Sequence, residues 1–544
     1  MADAALPGPA DRSLDADVVV VGFGPVGQTL AALLGRRGHR VLVLERQDEP
    51  YPLPRAVVLD SEVMRVLSAA GVGSFFAEFS EPSWQYDWRN AAGETLLHFD
   101  FGCEPGSGWP VNATFHQPSL EARLVERVAQ LPSVSVRRGS TVVAVRDAGE
   151  SAEVDVEGRD GEVETVRSAY LVGCDGANSI VRSVIDPVVD DRGFFYDWAV
   201  VDVLPHDRSR VWEPQNLQLC DPARPTTAVS GGPGRRRFEF MVLPGEDPDD
   251  FDSDEVAWSL LERWGVSSEN ADMERSAVYR FRARCCRTWR AGRLLLAGDA
   301  AHLMPPFFGQ GMCSGVRDAA NLAWKLDVVL RGCAEESVLD TYTTERAAHV
   351  QHAIGMSVEL GRVICLTDPV AVAARDATML AAGGRPERAL PPVPPPALGP
   401  GIARATQPAS GPPFTSQGRV RGADGRVGLH DEIVGTGFVL SGPVDVRPFL
   451  GAEALDAFAR LGGSLVQVVP RHVDPVDEGG LCQVADVDGH YLPLFAGAGI
   501  VAALVRPDFY LFGTAERPED AASLLEDLLH QLGMPVLAGA GGGN

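Results

Sequence analysis

The feature that most constrains the fold of this chain is a glycine-rich turn near its N-terminus. An apolar run at 17–21 leads directly into residues 22–27, in which three glycines follow a G-x-G-x-x-G spacing. A helical pattern occupies 28–38, and a second apolar run at 41–44 ends on Glu45. This order predicts a strand, a tight turn, a helix and a second strand, which together form the unit that binds dinucleotides.

Each glycine of this turn is expected to have its own physical task. Gly22 permits the sharp turn, Gly24 lets the backbone approach a pyrophosphate at the helix N-terminus, and Gly27 lets the helix pack against the strand. The carboxylate of Glu45 can accept hydrogen bonds from ribose hydroxyls. The alternative is a βα turn that binds nothing, but the complete order of elements favours a nucleotide site.

Two further apolar strands end in turns that carry an aspartate. The run at 169–172 leads into Gly173, Cys174 and Asp175, and the run at 293–297 leads into Gly298 and Asp299. Because the carboxyl ends of parallel strands converge on one crevice, a single extended ligand could touch all three turns. Either aspartate alone would be interpreted as a turn residue or a helix cap, whereas three such turns in this order indicate a shared ligand.

The composition of the chain excludes several classes of protein. A formal net charge of −26 over 544 residues disfavours nucleic acid and anionic membranes as partners. No run of 18 apolar residues predicts a membrane span, and the N-terminus lacks the pattern of a signal peptide. The nine cysteines show no metal-ligand spacing, so we expect no metal site and reduced thiols in the cytoplasm.

Changes in pattern along the chain divide it into five segments. Residues 1–185 and 286–381 are predicted to form two parts of one α/β nucleotide-binding domain, with a small polar lead-in over the first 16 residues. Residues 186–285 contain many short β-like runs and predict an inserted, mostly antiparallel sheet. The Pro- and Gly-rich segment 382–413 predicts a linker, and 414–544 predict a separate α/β domain with a Gly-rich tail.

The three turns resemble the three characteristic motifs of the single-component FAD-dependent aromatic hydroxylases, the class A flavoprotein monooxygenases. Within that family the 3-(3-hydroxyphenyl)propionate hydroxylase group is the most similar. Further motifs that carry the resemblance lie at 51–56, 220–225, 237–240, 305–312 and 317–326. The resemblance is strong over 17–352. The C-terminal part resembles, more weakly, the thioredoxin-like domain of phenol-hydroxylase-type members, here without redox cysteines.

The resemblance implies a fold and a set of cofactor-binding residues. The fold is a Rossmann-type FAD-binding domain with an inserted substrate-binding sheet and a C-terminal thioredoxin-like α/β domain. The glycines of the first turn would contact the pyrophosphate, and Glu45 would contact the adenosine ribose. Asp175 lies in the motif that the family associates with the binding of both FAD and NAD(P)H. The full implied FAD set is Gly22, Gly24, Pro25, Val26, Gly27, Glu45, Arg46, Arg55, Gln117, Asp175, Gly176, Gly298, Asp299, Pro306, Gly309, Gln310, Gly311 and Met312.

The resemblance also implies a reaction. NAD(P)H reduces FAD, O2 then forms a flavin C4a-hydroperoxide, and an oxygen atom is delivered to a phenolic ring such as that of a 3-(3-hydroxyphenyl)propionate-like acid. A residue that favours the phenolate is needed, and Tyr279, Asp60 and His302 are the candidates, each with a purely structural role as the alternative. NADH versus NADPH stays open, as does the oligomeric state, for which a homodimer is one arrangement.

Two other functions remain open at this stage. Relatives that tailor aromatic polyketides share the same motifs, so hydroxylation, epoxidation or Baeyer–Villiger oxidation of a natural product is one alternative. A flavin-binding scaffold protein without catalytic activity is another, although the sequence Asp299 to Met312 is typical of flavin chemistry.

Overall fold

The computed structural model describes residues 13–102, 107–390, 398–404 and 415–534. Within these ranges the chain forms three eight-stranded sheets and one three-stranded sheet, covered by helices. The predicted α/β fold class is confirmed. Most of the predicted N-terminal lead-in, parts of the predicted linker and the Gly-rich tail from 535 onwards lie outside the described residues.

The strands of the described residues are numbered in chain order. They are β1 (Ala16–Val21), β2 (Val41–Glu45), β3 (Val58–Asp60), β4 (Ser80–Pro82), β5 (Gln85–Arg89), β6 (Thr95–Asp100), β7 (Asn112–Phe115), β8 (Val134–Arg138), β9 (Thr141–Asp147), β10 (Ala152–Glu157), β11 (Val163–Gly173), β12 (Val189–Pro205), β13 (Leu217–Leu219), β14 (Thr226–Ser230), β15 (Arg236–Met241), β16 (Ala271–Cys286), β17 (Arg290–Ala291), β18 (Leu294–Leu296), β19 (His302–Leu303), β20 (Arg419–Arg421), β21 (Val427–Leu429), β22 (Val439–Gly442), β23 (Ser464–Pro470), β24 (Asp477–Glu478), β25 (Leu481–Asp486), β26 (Ala502–Val505) and β27 (Leu511–Ala515).

The α-helices of the same residues are numbered in the same way. They are α1 (Pro25–Gly35), α2 (Ser61–Ala70), α3 (Phe76–Phe79), α4 (Gln117–Ala129), α5 (Ile180–Ile185), α6 (Asp254–Glu262), α7 (Gly311–Leu330), α8 (Thr341–Ile364), α9 (Pro369–Ala381), α10 (Pro386–Ala389), α11 (His430–Val434), α12 (Ala452–Arg460), α13 (Tyr491–Ala498) and α14 (Asp520–Gln531).

The first sheet is the nucleotide-binding sheet. Its strand order is β17-β18-β11-β1-β2-β8, in which β18, β11, β1, β2 and β8 run parallel. Strands β1, β2 and β18 are nearly continuous runs of Val and Leu, and all six residues of β1 are buried. Such runs are typical of a parallel sheet that is covered on both faces, and they form the largest apolar core of the molecule.

The second sheet forms one wall of the central cavity. Its order is β19-β16-β12-β15-β14-β13-β5-β6, with antiparallel pairs throughout except β13 and β5, which run parallel. The sheet is wider than the sequence predicts for 186–285, because β5, β6 and β19 come from outside that segment. Sequence distance hides this, since β5 lies more than a hundred residues before its partner β13.

The third sheet belongs to the C-terminal domain. Strands β22, β23 and β25 are parallel, while β26 pairs antiparallel with β22 and β27 pairs antiparallel with β26. The connection β22-α12-β23-α13-β26-β27-α14 with the order β23-β22-β26-β27 is that of a thioredoxin-like domain. Cys482 is its only cysteine and has no second thiol for dithiol chemistry.

One local prediction requires correction. Before the predicted linker, α8 continues to Ile364 and a new helix begins at Pro369, where Asp368 caps it. In the predicted linker, Leu398 and Ile402 are 3% and 4% exposed and pack against the structured domains, so residues 398–404 are not a solvated spacer. The Ile402 amide donates to Glu345 Oε1 over 2.7 Å.

None of the helices in the described residues is long and apolar enough to cross a membrane. These residues contain no cluster of three or more potential metal ligands, and each cysteine among them is a free thiol.

Candidate active site

The three motif turns lie side by side at one edge of the first sheet. The last residue of β1, Val21, pairs with Gly173 of β11, which in turn pairs with Leu296 of β18. Backbone hydrogen bonds connect the turns, from Cys174 N to Val21 O over 2.7 Å and from Ala297 N to Gly173 O over 3.0 Å. The sequence-based prediction that these three turns share one crevice is therefore matched by the geometry.

The glycine turn separates close packing from open space. Gly22 has a φ of +99°, and a Cβ there would lie 2.5 Å from Cys174 O. A Cβ on Gly27 would lie 2.2 Å from Gly22 O. At Gly24, by contrast, a Cβ would meet nothing within 4 Å, and the first turn of α1 has no side-chain cap and no acidic residue. Free backbone amides and open space at a helix N-terminus are what a pyrophosphate needs.

Three carboxylates flank this turn in different ways. Glu45 Oε2 accepts a hydrogen bond from Phe23 N over 2.8 Å, which holds the carboxylate against the glycine turn. Asp175 Oδ2 accepts from Ile180 N over 2.8 Å, and its Oδ1 is buried without a partner in the described residues. Asp299 points into the cavity. Burial raises the pKa of both Asp175 and Asp299; at Asp175 the Ser179 side chain and three backbone N–H groups offset part of this rise.

A loop after β2 is fixed to α4 through one glutamine. Gln117 Oε1 accepts from the backbone amides of Arg55 and Ala56 over 3.0 and 2.7 Å, while its Nε2 donates to Glu121 over 2.7 Å. Arg55, Ala56 and Gln117 all line the cavity. Arg46, which the resemblance placed near FAD, is exposed and does not line it.

The loop between β19 and α7 forms the next part of the wall. Pro306, Gly309, Gln310, Gly311 and Met312 all line the cavity, and Gly309 has a φ of +66°. This loop leads directly into the N-terminus of the twenty-residue helix α7. The N-terminus of α7, and with it the positive end of the helix dipole, therefore lies at the cavity wall.

One cavity of about 700 Å³ joins these elements to the second sheet. At one end it is lined by Gly24, Arg55 and Asp299, and at the other by aromatic side chains. The aromatic residues that line the second end are Tyr86, Trp88, Phe99, Phe101, Phe281, Phe307 and Phe308. Such a cavity, with few polar groups in an apolar wall, is typical of a site for a cofactor and a small ring.

The sheet face that meets the cavity carries an ionic cluster. Arg237 binds Asp202 through two hydrogen bonds of 2.6 and 2.9 Å, and it also donates to the backbone oxygens of Pro54 and Arg55. Arg275 donates to Pro54 O and lies 3.5 Å from Asp202. This cluster ties the Arg55 loop to the second sheet and so fixes the width of the cavity.

The three candidates for a phenolate-stabilising residue differ in position. Tyr279 lines the cavity, with the Arg275 guanidinium 4.4 Å from its ring centre, and burial raises its pKa. His302 is 2% exposed and binds Asp318 at 2.7 Å. Asp60 caps α2 and binds Arg317 at 2.8 Å. His302 and Asp60 do not line the cavity, which corrects their selection as catalytic candidates.

His302 has an evident structural task instead. Asp318 Oδ2 accepts from His302 and from the amide of Gly298 over 2.7 and 3.1 Å, while its Oδ1 accepts from Arg346 over 2.9 Å. Burial alone would raise the pKa of Asp318, but His302 and Arg346 lower it. This buried network holds the turn that carries Asp299.

Sequence reasoning missed several residues that face the cavity from the second sheet. Arg237 and Glu239 lie within the 237–240 motif without a role of their own there, and Arg275 and Tyr86 were not singled out. The available signal is the alternation along β15, because residues two apart in a strand face the same side. The partner strands that complete this face are distant in sequence and gave no signal.

Comparisons with known proteins agree with this geometry. The family model of the FAD binding domain matches residues 15–357, and that of the HcaD C-terminal domain matches residues 414–531. A curated relative from Rhodococcus jostii (strain RHA1), named a probable NADH-specific resorcinol 4-hydroxylase, is 38% identical over 519 residues, which cover 94% of each chain. The chain belongs to the FAD-dependent aromatic hydroxylases.

Other members of this family of FAD-dependent aromatic hydroxylases are similar over nearly the full length. A 3-(3-hydroxy-phenyl)propionate/3-hydroxycinnamic acid hydroxylase from Mycolicibacterium gilvum (strain PYR-GCK) is 36% identical, covering 84% of this chain and 81% of the relative. The crystal structure of aklavinone-11 hydroxylase in a ternary complex with FAD and aklavinone is 25% identical, with a TM-score of 0.73 and coverage of 95% and 99%.

The residues of this FAD-dependent hydroxylase fit the cofactor. Gly24 leaves the space that a pyrophosphate needs, and Asp299 faces the cavity, whereas Asp175 does not line it. Gly24, Asp299 and the Pro306–Met312 loop all line the same cavity, so one ligand can extend from the glycine turn to this loop.

Proposed function

We propose that this chain uses NADH and O2 to hydroxylate a small phenol, with FAD bound along the cavity from the glycine turn to the Pro306–Met312 loop. The observation that carries the proposal is the continuity of one cavity between a dinucleotide-binding turn and an aromatic-walled end. The Rhodococcus relative is named as NADH-specific, which supports NADH as the reductant.

In this proposal the chain binds FAD through groups at three places. The amides at the N-terminus of α1 hold the pyrophosphate, and Glu45 receives hydrogen bonds from the adenosine ribose. Arg55, Gln117 and Asp299 border the middle of the cofactor. The amides at the start of α7 stabilise negative charge on the reduced ring through the helix dipole. FAD itself supplies the redox and oxygen-transfer chemistry when bound.

The aromatic end of the cavity would hold the substrate ring and exclude water. Phe307 packs against Trp198 and Phe281 with ring centres 5.5 and 5.9 Å apart, and Trp88 packs against Phe99 at 6.2 Å. These contacts fix the wall on the side of the Pro306–Met312 loop. An apolar wall keeps water away from the reacting groups and so prevents side reactions with water.

Tyr279 and Arg275 are proposed to act on the phenol. The Tyr279 hydroxyl, whose pKa burial raises above its ordinary value, stays protonated near pH 7 and can exchange hydrogen bonds with the substrate hydroxyl. Arg275 Nε is buried without a hydrogen-bond partner in the described residues, and its positive charge favours the phenolate form. A phenolate ring is more electron-rich, which is what electrophilic oxygen transfer requires.

The relatives name three kinds of aromatic substrate. Resorcinol is an uncharged phenol, 3-(3-hydroxyphenyl)propionate carries a carboxylate, and aklavinone is a polycyclic polyketide. Tailoring of a polyketide is therefore the second candidate function. A cavity of about 700 Å³ that also has to hold the flavin ring favours a single-ring phenol.

The test is NADH oxidation by the purified, FAD-loaded protein in the presence of a panel of phenols. We expect a single-ring phenol to stimulate NADH oxidation and to gain one oxygen atom, as measured by mass spectrometry. If only polycyclic phenols stimulate NADH oxidation, the function is tailoring of a polyketide. A protein that takes up no FAD, or that binds FAD without oxidising NADH, would revive the scaffold alternative.

A further inference from the structure

The side chain of Gln310 is held from two directions at the point where the cavity wall meets α7. Gln310 lines the cavity and directly precedes this helix. Its Nε2 donates to Asp60 Oδ2 over 3.0 Å, and its Oε1 accepts from Arg317 Nη1 over 3.0 Å. Because both ends of the amide are occupied, one orientation of the side chain is fixed. The position of the Pro306–Met312 loop therefore depends on these two partners.

The two partners of Gln310 lie at the starts of different helices, which the same contacts join. Arg317 on α7 donates from Nη2 to Asp60 Oδ1 and from Nε to Glu62 Oε2, each over 2.8 Å. Asp60 caps α2 by accepting from Val63 N over 3.0 Å, and Glu62 lies in the first turn of α2. Burial would raise the pKa of Asp60, but the Arg317 guanidinium and the hydrogen-bond donors around the carboxylate lower it. A buried ionic cluster thus binds the N-terminus of α2 to the loop.

One turn further along α2, Arg65 is bound to the C-terminal domain. Arg65 is 4% exposed. It donates to the two carboxylate oxygens of Asp431 over 2.6 and 2.8 Å, and to Thr415 O over 2.6 Å. Its guanidinium lies 4.2 Å from the ring centre of Phe509. Since a bidentate pair of arginine and carboxylate fixes direction as well as distance, α2 is held rigidly between the C-terminal domain and the loop.

Phe509 meets the FAD-binding domain at a strained position of the backbone. It lies between β26 and β27, has a φ of +68° and is 3% exposed. Its ring packs into the apolar core of the first sheet. A positive φ in a bulky residue costs energy and persists only where the surrounding contacts impose it. Phe509 O also accepts from Thr415 N and Oγ1 over 2.9 and 2.7 Å, which joins two of the segments that contact Arg65.

We propose that the C-terminal domain positions the Pro306–Met312 loop through α2, with Arg65 as the positioning residue. The inference deepens the proposed function, since it assumes that FAD lies against this loop. It gives the C-terminal domain, which has no dithiol, a task in hydroxylation that needs no chemistry of its own. When Arg65 is lost, α2 and the Gln310 amide gain freedom, and the flavin and the substrate ring lose their alignment.

The first test measures amide hydrogen exchange over residues 306–312 in the FAD-loaded protein, which requires no turnover. The variant is Arg65→Gln, which removes the ion pair with Asp431 and leaves the lining residues of the cavity unchanged. The matched control is Arg37→Gln. Arg37 also joins the two domains, because it donates to Thr436 O over 3.2 Å and to Asp327 over 3.0 Å, and it is not among the described residues that line the cavity.

The second test follows the flavin and the reaction in the same variants. Visible circular dichroism of bound FAD reports the surroundings of the flavin ring. The amount of hydroxylated phenol formed per NADH oxidised reports the alignment of the substrate. When no product forms, NADH, a proton and O2 give NAD⁺ and hydrogen peroxide, which is measured in the same samples.

For Arg65→Gln we expect hydrogen exchange at 306–312 to become about tenfold faster, because charge-assisted hydrogen bonds are lost. The flavin dichroism should change, and product per NADH should fall at least about tenfold while peroxide rises. Arg65→Lys keeps the positive charge and should recover part of each effect. Arg37→Gln should match the wild type in all three measurements.

Two results overturn the inference and leave the proposed function standing. One is exchange at 306–312 in Arg65→Gln that equals the wild type, and the other is an equal change in Arg37→Gln. A wild type whose NADH oxidation no phenol stimulates refutes the proposed function, whereas the exchange measurement still decides the role of Arg65. If Arg65→Gln does not fold, Arg65→Gln combined with Asp431→Asn, which removes both charges of the pair, is measured with the same criteria.

Discussion

The second and third glycines of the first motif, Gly24 and Gly27, allow a sharp test, because the structure gives them opposite surroundings. A Cβ at Gly24 would meet no atom within 4 Å, and its φ of −78° suits any residue. A Cβ at Gly27 would lie 2.2 Å from Gly22 O. We therefore expect Gly24→Val to remove FAD binding with little effect on the apoprotein, and Gly27→Ala to destabilise the apoprotein itself.

The magnitudes follow from the contacts that are lost. Displacing the pyrophosphate from two amides of α1 removes two charge-assisted hydrogen bonds of about 1.5–3 kcal/mol each. The expected loss is about 3–6 kcal/mol, which weakens FAD binding by about 10²–10⁴-fold. Overpacking at Gly27 costs about 1–3 kcal/mol and lowers the melting temperature by about 1 °C per kcal/mol in a chain of 544 residues.

The assay combines FAD titration by flavin fluorescence with thermal unfolding of apoprotein, with and without added FAD. Wild-type protein should gain about 2.7 kcal/mol at an FAD concentration a hundred times its dissociation constant, whereas Gly24→Val should gain almost nothing. FAD affinity of Gly24→Val within threefold of the wild type would refute the placement of the pyrophosphate. Equal loss of apoprotein stability in both variants would refute the distinction between the two glycines.

Three further predictions concern the cavity and the domain contact. Asp299→Ala should lose FAD on gel filtration with its apoprotein fold intact, and stoichiometric FAD after that step would contradict its role. Tyr279→Phe should keep FAD and lower the hydroxylation rate about 10²-fold, which an unchanged kcat would disprove. Glu345→Gln should cost about 3–5 kcal/mol in urea unfolding at pH 7, because it leaves the buried Arg506 and Lys325 without their shared carboxylate. Burial would raise the pKa of Glu345, but Arg506 and Lys325 lower it from 4.5 to about 2. This shift contributes about 3 kcal/mol to the stability of the wild type at neutral pH. The contribution is lost as the pH falls from about 4.5 to about 2. No such loss in the wild type, or equal stability of the two proteins at pH 7, would contradict this account.

Local sequence patterns predict those parts of the fold that depend on neighbours in the chain. The glycine turn, helix α1 and strand β2 all lie where periodicity and turn residues place them. The width of the second sheet could not be predicted, because β5 and β6 join it through pairing over more than a hundred residues. Tertiary packing, which no local pattern encodes, decides such pairings.

The candidate site divides in the same way. Asp175 and Asp299 were selected because each follows a strand within its own motif, and of the two only Asp299 lines the cavity. The role of His302 depends on Asp318, which lies sixteen residues later on α7. Because His302 is buried and bound to Asp318, it holds the turn that carries Asp299 and is not placed to act as a base on the substrate. Glu239 belongs to a motif that the sequence shows. That its side chain lacks a hydrogen-bond partner in the described residues depends on the pairing of Arg237 with Asp202, which the sequence does not show.

The central claim is that one cavity brings a flavin and a phenol together for oxygen transfer. It is tested most directly by turnover of the FAD-loaded protein with NADH and resorcinol under ¹⁸O2, with mass spectrometry of the product. The account predicts a product that carries one ¹⁸O atom, formed with one NADH consumed per molecule. NADH consumption that resorcinol and other phenols do not stimulate, or a product whose new oxygen comes from water, would contradict it.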